Sequence, residues 1–182
     1  MSINKKISII GLGYVGLPLA VEFAKKYLVV GYDIDITRIE ELKAGIDRTK
    51  EITNKKLLAN NNLIFTSDLN YMKNSDFFIL TVPTPITKDN KPDLSIIREA
   101  VLLVAKVLKK GATVILESTV YPGVTEDYLV PIIEKYGKLQ HKKDFFVAYS
   151  PERINPGETK YKLTKIKKVV GADSKTTLNK VS

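Results

Sequence analysis

Six short apolar runs, separated by segments with helical character, constrain the fold of this chain more than any other feature. Strands that are apolar along their whole length are typical of parallel sheets covered by helices on both sides. The sequence therefore predicts an α/β fold, with a doubly wound, mostly parallel sheet and helices on both faces. The expected strands are residues 7–10, 28–32, 63–66, 76–81, 113–116 and 145–149, with a seventh at 167–170.

The intervening segments carry helix start and stop signals. A chain of 182 residues is about the length of one domain. We therefore assign residues 1–172 to one domain, and residues 173–182 to the start of a helix that leads into a further domain beyond Ser182. The expected helices cover residues 17–26, Ile36 to a stop at Gly45, the cap Asp93 to a stop at Gly111, Thr125 or Glu126 to Tyr136, and the stretch that begins at Asp173–Ser174.

Residues 11–16, GLGYVG, have the spacing G-x-G-x-x-G. They follow an expected strand, open an expected helix and precede Asp33 at the end of the next strand, which is the full context of the dinucleotide fingerprint of Rossmann-type sheets. Gly11 permits the tight turn, Gly13 leaves room for a pyrophosphate, and Gly16 lets the helix pack closely on the strand. The alternative is that three glycines merely tighten a strand–helix turn.

The acidic residue Asp33 indicates which dinucleotide is bound. Its carboxylate would accept hydrogen bonds from the ribose hydroxyls and would repel a 2′-phosphate, so NAD is favoured over NADP. Tyr14 and Val15 within the glycine-rich loop, and Arg38 in the following helix, are the other expected cofactor contacts at this end.

Three loops with reactive side chains follow strands four, five and six, and so fall on the carboxyl edge of the sheet, where ligands bind in doubly wound folds. They are VPTP with Thr84, ESTVYPG with Glu117 and Thr119, and SPERINPG with Glu152, Arg153 and Asn155. For each loop there is also a purely structural explanation. Ser118 and Thr119 could cap the next helix, and Glu152 could simply pair with Arg153 or a lysine.

The segments GLGYVGLPLA, TVPTP, ESTVYPG and SPERINPG, in this order, resemble the N-terminal NAD-binding domain of the UDP-glucose/GDP-mannose dehydrogenase family. SPERINPG is closer to the branch that acts on UDP-N-acetylhexosamines. The resemblance implies oxidation of a sugar C6 alcohol to a carboxylate with reduction of two NAD, in the synthesis of surface polysaccharide precursors.

By the same resemblance, Thr119 would position a catalytic water and Glu152 would assist the water chemistry or thioester hydrolysis. Thr84, Glu117 and Thr119 would lie near NAD, and Arg153 and Asn155 near the substrate, a UDP-sugar. Members of this family use a cysteine nucleophile, and this chain has no cysteine. We therefore expect these residues to be the cofactor half of such an enzyme, which binds NAD and does not turn over nucleotide sugar alone.

The net charge of +9 raises nucleic acid as an alternative partner. The lysines are scattered and the four arginines are not clustered with aromatic residues, so a lysine-rich surface and no nucleic-acid partner are expected. The single histidine, His141, is expected in a surface loop and no metal site is expected.

No apolar run approaches the length that a bilayer requires, so a cytoplasmic protein without a membrane partner is expected. The full-length protein is expected to be a homodimer or larger. The remaining alternatives are another Rossmann dehydrogenase, of the hydroxyacid type, and a non-catalytic module that binds NAD or nucleic acid.

Overall fold

The computed structural model describes residues 5–151 and 167–182, which form one seven-stranded sheet with helices on both faces. The strands are β1 Lys6–Ile10, β2 Leu28–Tyr32, β3 Leu63–Thr66, β4 Phe77–Leu80, β5 Thr113–Leu116, β6 Phe146–Tyr149 and β7 Gly171–Ala172. The helices are α1 Gly16–Phe23, α2 Ile36–Lys43, α3 Asn54–Leu58, α4 Ser95–Ala105, α5 Val130–Gly137 and α6 Lys175–Val181, with a 3₁₀ turn at Leu69–Met72 and a π-helix at Val124–Leu129.

The strand order is β3-β2-β1-β4-β5-β6-β7, and every neighbouring pair is parallel except β6 and β7. The order reverses direction at β1 and β4, which are adjacent although β2 and β3 lie between them in the chain. Such a switch point leaves a crevice outside the carboxyl ends of the strands, where open α/β sheets bind their ligands. The doubly wound, mostly parallel sheet predicted from the apolar runs is confirmed.

Each central strand is apolar on both sides because it contributes to two separate cores. In β4, Phe78 is fully buried in the core formed with α4 and α5, and Ile79 is buried in the core formed with α1 and α2. Val114 and Ile115 in β5 divide in the same way. Successive side chains of a strand point to opposite faces, so two helical layers require continuous apolar runs.

The seventh strand is not where the sequence predicted it. Residues 167–170 carry no strand pairing, and β7 is the two-residue segment that follows them. It pairs antiparallel with β6, with Gly171 opposite Tyr149. Lys168, inside the predicted strand, instead forms an ion pair with Glu117, the residue after β5.

Several predicted helix ends also differ. Leu94, and not Asp93, occupies the cap position of α4, although Asp93 still accepts a hydrogen bond from the Ser95 N–H at 2.8 Å. The helix predicted to start at Thr125 or Glu126 begins at Val124 as the π-helix and continues as α5. The helices predicted from residue 17 to 26 and up to Gly111 end earlier, at Phe23 and Ala105.

The helix predicted from the Asp173–Ser174 pair is confirmed. The Ser174 hydroxyl oxygen accepts a hydrogen bond from the Thr177 N–H at 3.1 Å, and α6 packs against β6 and β7. The domain boundary at residue 172 stays a prediction. Within the described ranges, no helix is both long enough and apolar enough to cross a bilayer.

Candidate functional site

The glycine-rich loop of residues 11–16 joins β1 to α1 at the switch point of the sheet. Gly11 has a φ of 94° and donates its N–H to the Tyr32 carbonyl at 2.9 Å. A Cβ on Gly16 would lie 1.9 Å from the Gly11 carbonyl oxygen, so no side chain fits there. A Cβ on Gly13 would meet no atom within 4 Å. The two outer glycines are therefore required by the fold, whereas Gly13 borders open space.

Thr81, directly after β4, anchors this loop and was not identified from the sequence. Its hydroxyl lies 2.7 Å from the Gly11 carbonyl oxygen and 3.0 Å from that of Ile10. The same hydroxyl oxygen would be 2.4 Å from a Cβ on Gly16. The available signal was a hydroxyl residue at the end of the strand expected beside the glycine-rich loop.

Asp33 lies at the carboxyl end of β2, where its half-buried carboxylate is fixed by two backbone groups. One carboxylate oxygen accepts from the Leu12 N–H at 2.8 Å and the other from the Asp35 N–H at 3.0 Å. A carboxylate has about four lone-pair sites, so both oxygens keep capacity for the hydroxyls of a ribose. The predicted ribose acceptor is thus already held beside the glycine-rich loop.

Arg38, in the first turn of α2, lies behind the glycine-rich loop. Its side chain is 5% exposed, and its Nε and Nη2 donate to the Leu12 carbonyl oxygen at 3.0 and 2.9 Å. Nη2 also donates to Asp47 at 2.7 Å, and the Asp47 side chain is 1% exposed. The direct cofactor contact predicted for Arg38 stays a prediction, and the hydrogen bonds observed for its guanidinium are with the Leu12 carbonyl and the Asp47 carboxylate.

Asp47 organises the turn that covers Arg38. One carboxylate oxygen accepts from the Thr49 N–H and hydroxyl as well as from Arg38, and the other accepts from the N–H groups of Glu51 and Ile52. Burial by itself would raise the pKa of Asp47. The hydrogen bonds from Ile52, Thr49 and Arg38 outweigh burial and hold this pKa below its ordinary value.

The loop after β4 is tied to the loop after β5 by Ser118. The Ser118 hydroxyl is buried and donates to the Val82 carbonyl oxygen at 2.6 Å. The next helical turn begins only at Val124, with Gly123 at the cap position and no side-chain cap. The alternative that Ser118 and Thr119 cap that helix is therefore wrong, and Ser118 positions the loop that carries the half-buried Thr84.

Glu117 and Thr119 flank Ser118 and have opposite environments. Glu117 is 6% exposed and forms an ion pair with the Nζ of Lys168, which lies in the segment that leads into β7. Thr119 is exposed at the carboxyl edge. The geometry leaves the Thr119 hydroxyl accessible to a ligand and makes the Glu117 carboxylate a buried anchor.

Ser150 follows β6 and marks the entry to the SPERINPG segment. It is 3% exposed, and within the described residues its hydroxyl has no hydrogen-bond partner. A cavity of about 710 Å³ between α1 and α6 has Ser150, Glu117 and Lys168 at its polar end. Glu152, Arg153 and Asn155 lie outside the described residues.

His141 lies in the connection between α5 and β6, as predicted, but its side chain is less exposed than a surface position would imply. Its side chain is 16% exposed, and Nε2 lies 2.9 Å from a carboxylate oxygen of Asp173, whose side chain is 1% exposed. Because β7 runs antiparallel to β6, residue 173 returns beside Val147, whose N–H donates to the same carboxylate oxygen at 2.8 Å. His141 therefore joins the turn before β6 to the residue after β7.

The open Gly13, the anchored Asp33 and the hydroxyl-bearing loops on one sheet edge define a dinucleotide-binding domain of the dehydrogenase class. The family model for the UDP-glucose/GDP-mannose dehydrogenase family, NAD binding domain, matches residues 5–182. The chain belongs to this family, as its four motifs predicted, and its cofactor is NAD.

Individual relatives agree with this family. The chain is 51% identical to Protein CapL of Staphylococcus aureus, over 94% of this chain and 40% of that protein. It is 50% identical to UDP-N-acetyl-D-glucosamine 6-dehydrogenase of Pseudomonas aeruginosa, over 93% and 40%. The solved structure of UDP-D-ManNAc dehydrogenase from Pyrococcus horikoshii superimposes with a TM-score of 0.87 at 36% identity, over 97% of this chain and 43% of that one. The chain thus spans about 40% of the length of these curated relatives.

Proposed function

We propose that the chain is the cofactor-binding part of an NAD-dependent UDP-sugar 6-dehydrogenase that oxidises the C6 alcohol of a UDP-N-acetylhexosamine to a uronate. The observation that carries the proposal is the glycine-rich loop with its open Gly13 and anchored Asp33, in a chain half identical to a UDP-N-acetyl-D-glucosamine 6-dehydrogenase. The overall change consumes one water and two NAD per sugar, and releases two NADH and three protons. NAD would accept the hydride in both oxidations.

The residues present fit a bound dinucleotide. Gly13 and Tyr14 are exposed residues just before the start of α1, and among the described residues no hydrogen bond engages their N–H groups. N–H groups at a helix start favour phosphate oxygens, because their partial positive charge adds to that of the helix. Asp33 would accept from the adenosine ribose hydroxyls on the other side of the loop.

The reacting end of the cofactor is proposed to lie beside Thr84 and Thr119, on the loops that Ser118 joins. Thr119 is exposed there and would orient a water. Glu152 is proposed to assist that water, and Arg153 and Asn155 to contact the sugar, on the basis of their motif. The chain has no cysteine, so a thiolate for this chemistry would come from outside these residues.

The cofactor site is tested by titrating this chain with NADH and with NADPH. We expect NADH to bind and NADPH to bind more weakly, and Asp33→Ala to weaken NADH binding by ~10-fold or more, since a charge-assisted hydrogen bond is lost. Unchanged NADH affinity in the variant would contradict the assignment of Asp33.

The reaction is tested on the full-length protein with the UDP derivatives of N-acetyl-glucosamine, -mannosamine and -galactosamine. Two NADH formed per sugar mark the oxidation to the uronate. One NADH per substrate, or oxidation of hydroxyacids in place of the nucleotide sugars, would favour a different dehydrogenase.

A further inference from the structure

The peptide that joins Leu12 to Gly13 is fixed on its interior side by a buried, charged side chain, Arg38. The guanidinium of Arg38 donates twice to the Leu12 carbonyl oxygen, at 3.0 and 2.9 Å, and is itself held by Asp47. A bidentate, charged donor on one carbonyl is stronger and more directional than a neutral backbone bond. This contact reaches across 26 residues of sequence and is buried.

Leu12 is fixed at two further points. Its N–H donates to Asp33 at 2.8 Å, and its side chain is 1% exposed. That side chain packs so close to Gly31 in β2 that a Cβ on Gly31 would lie 3.1 Å from it. With donor, acceptor and side chain all engaged, rotation of the Leu12 backbone would break at least one buried contact.

The orientation of the Gly13 N–H follows from that of the Leu12 carbonyl. The two groups belong to one planar trans peptide, so they point in opposite directions. The carbonyl faces Arg38 in the interior, and the N–H of Gly13 therefore faces the open side of the loop. The surroundings of Gly13 are open, since nothing lies within 4 Å of its Cβ position and the residue is exposed.

We propose that Arg38 is a positioning residue for the cofactor, which fixes the Leu12–Gly13 peptide so that the Gly13 N–H is presented to the diphosphate. The sequence suggested a direct cofactor contact for Arg38, whereas here it acts through the backbone of Leu12. The guanidinium also polarises this peptide, which strengthens its N–H as a donor. The inference rests on the proposed function for the presence of a dinucleotide in this loop.

The test compares three ligands and three variants of the chain. NADH and ADP-ribose contain the diphosphate, and adenosine does not. Arg38→Met removes both hydrogen bonds to Leu12, and Arg38→Lys keeps the charge without the fork. Arg48→Met is the control, because the exposed Arg48 pairs with Asp35 and Glu41 and, within the described residues, has no hydrogen bond to the glycine-rich loop.

We expect Arg38→Met to weaken NADH and ADP-ribose by ~10-fold or more, with a smaller loss in Arg38→Lys. Adenosine affinity should be unchanged, and Arg48→Met should stay within about twofold for all ligands, as an exposed ion pair allows. A folded Arg38→Met chain that binds NADH like the wild type would overturn the proposal. So would an equal loss for adenosine, because that result places Arg38 in direct contact with the nucleoside.

Amide NMR keeps the test decisive if Arg38→Met does not fold. The Gly13 amide resonance of the wild type should shift on addition of ADP-ribose, and should shift less in Arg38→Lys. No shift of this resonance in a wild-type chain that binds ADP-ribose would sink the proposal. A wild-type chain that binds neither NADH nor ADP-ribose would instead contradict the proposed function itself.

Discussion

Two regions of the carboxyl edge of the sheet differ in how completely their polar groups are engaged. The proposed adenosine end, formed by the glycine-rich loop, Asp33 and Arg38, is held by several buried or half-buried hydrogen bonds to the loop backbone. The proposed reaction edge, formed by residues 117–119 and Ser150, has the exposed Thr119 and a buried Ser150 hydroxyl without a partner in the described part of the chain.

This difference suggests that the first region serves cofactor binding and the second serves the reaction. A loop whose peptides are already oriented binds a diphosphate without ordering cost, so cofactor binding can be carried by the adenosine end alone. The exposed Thr119 and the Ser150 hydroxyl, which has no partner within the described ranges, are not oriented in the same way. We therefore expect changes at the adenosine end to affect binding or folding, and changes at the reaction edge to affect turnover of the full-length protein.

The largest expected effect is a difference in fold stability between alanine substitutions at two glycines of one loop. Gly16→Ala brings a Cβ to 1.9 Å from the Gly11 carbonyl oxygen and 2.4 Å from the Thr81 hydroxyl oxygen, and should destabilise the fold by about 3 kcal/mol or more. Gly13→Ala meets no protein atom within 4 Å, so its stability should stay within about 0.5 kcal/mol. Its NADH affinity should nevertheless fall by roughly 10-fold, because the methyl group occupies the space of the diphosphate.

Thermal unfolding of both variants measures the predicted changes in stability, and NADH titration measures the predicted loss of affinity. If the Gly13→Ala chain binds NADH with wild-type affinity, the diphosphate does not bind at this loop. A fully stable Gly16→Ala chain would contradict the close packing described for Gly16.

The next effect concerns the buried ion pair at the reaction edge. Lys168→Met removes a cation that pairs with Glu117, whose side chain is 7% exposed, and should destabilise the fold by roughly 2 kcal/mol. Adding Glu117→Gln should recover part of that loss. A double-mutant cycle by urea unfolding with a coupling below about 0.5 kcal/mol would show that the pair contributes little.

A smaller effect is expected where the two loops meet. Ser118→Ala removes the bond to the Val82 carbonyl and should cost about 1 kcal/mol of unfolding free energy. Thr119→Ala, at an exposed neighbour, should stay within about 0.5 kcal/mol in stability while lowering turnover of the full-length enzyme. Equal destabilisation of the two variants would contradict the distinction between a positioning and a reacting hydroxyl.

The smallest effect is a dependence on pH at the adenosine end. The pKa of Asp47 in the folded chain lies below its ordinary value, because the hydrogen bonds it accepts outweigh the effect of burial. The unfolded state therefore binds protons first as the pH falls, so the stability from Asp47 is complete above about pH 4 to 5 and is lost below it.

Urea unfolding between pH 7 and pH 3 measures this loss. Asp47→Asn should be less stable at neutral pH and should lose less stability on acidification than the wild type. Asp89→Asn, at an exposed position after β4, serves as the control and should keep the wild-type profile. Parallel pH profiles for Asp47→Asn and the wild type would exclude Asp47 as a source of acid sensitivity.

Much of the fold and part of the site could be predicted from the order of the residues. Six of the strands, the turn of the glycine-rich loop between strand and helix, and the position of Asp33 at the end of β2 were predicted correctly, because apolar runs, motif spacing and strand ends are local patterns. The seventh strand, the environment of His141 and the loop contact of Thr81 were not, because each depends on a segment distant in sequence.

The local sequence is sufficient for the family, because four short motifs in a fixed order indicate it. It is also sufficient for NAD as cofactor, since the spacing of three glycines and the position of Asp33 relative to two strands are properties of one β–α–β unit. The tertiary structure decides which charges support that unit. Arg38 reaches Leu12 across 26 residues, Ser118 reaches Val82 across 36, and Lys168 reaches Glu117 across 51. These partners meet because the parallel strands bring their carboxyl ends to one edge, and burial there favours charges and hydroxyls that find a partner.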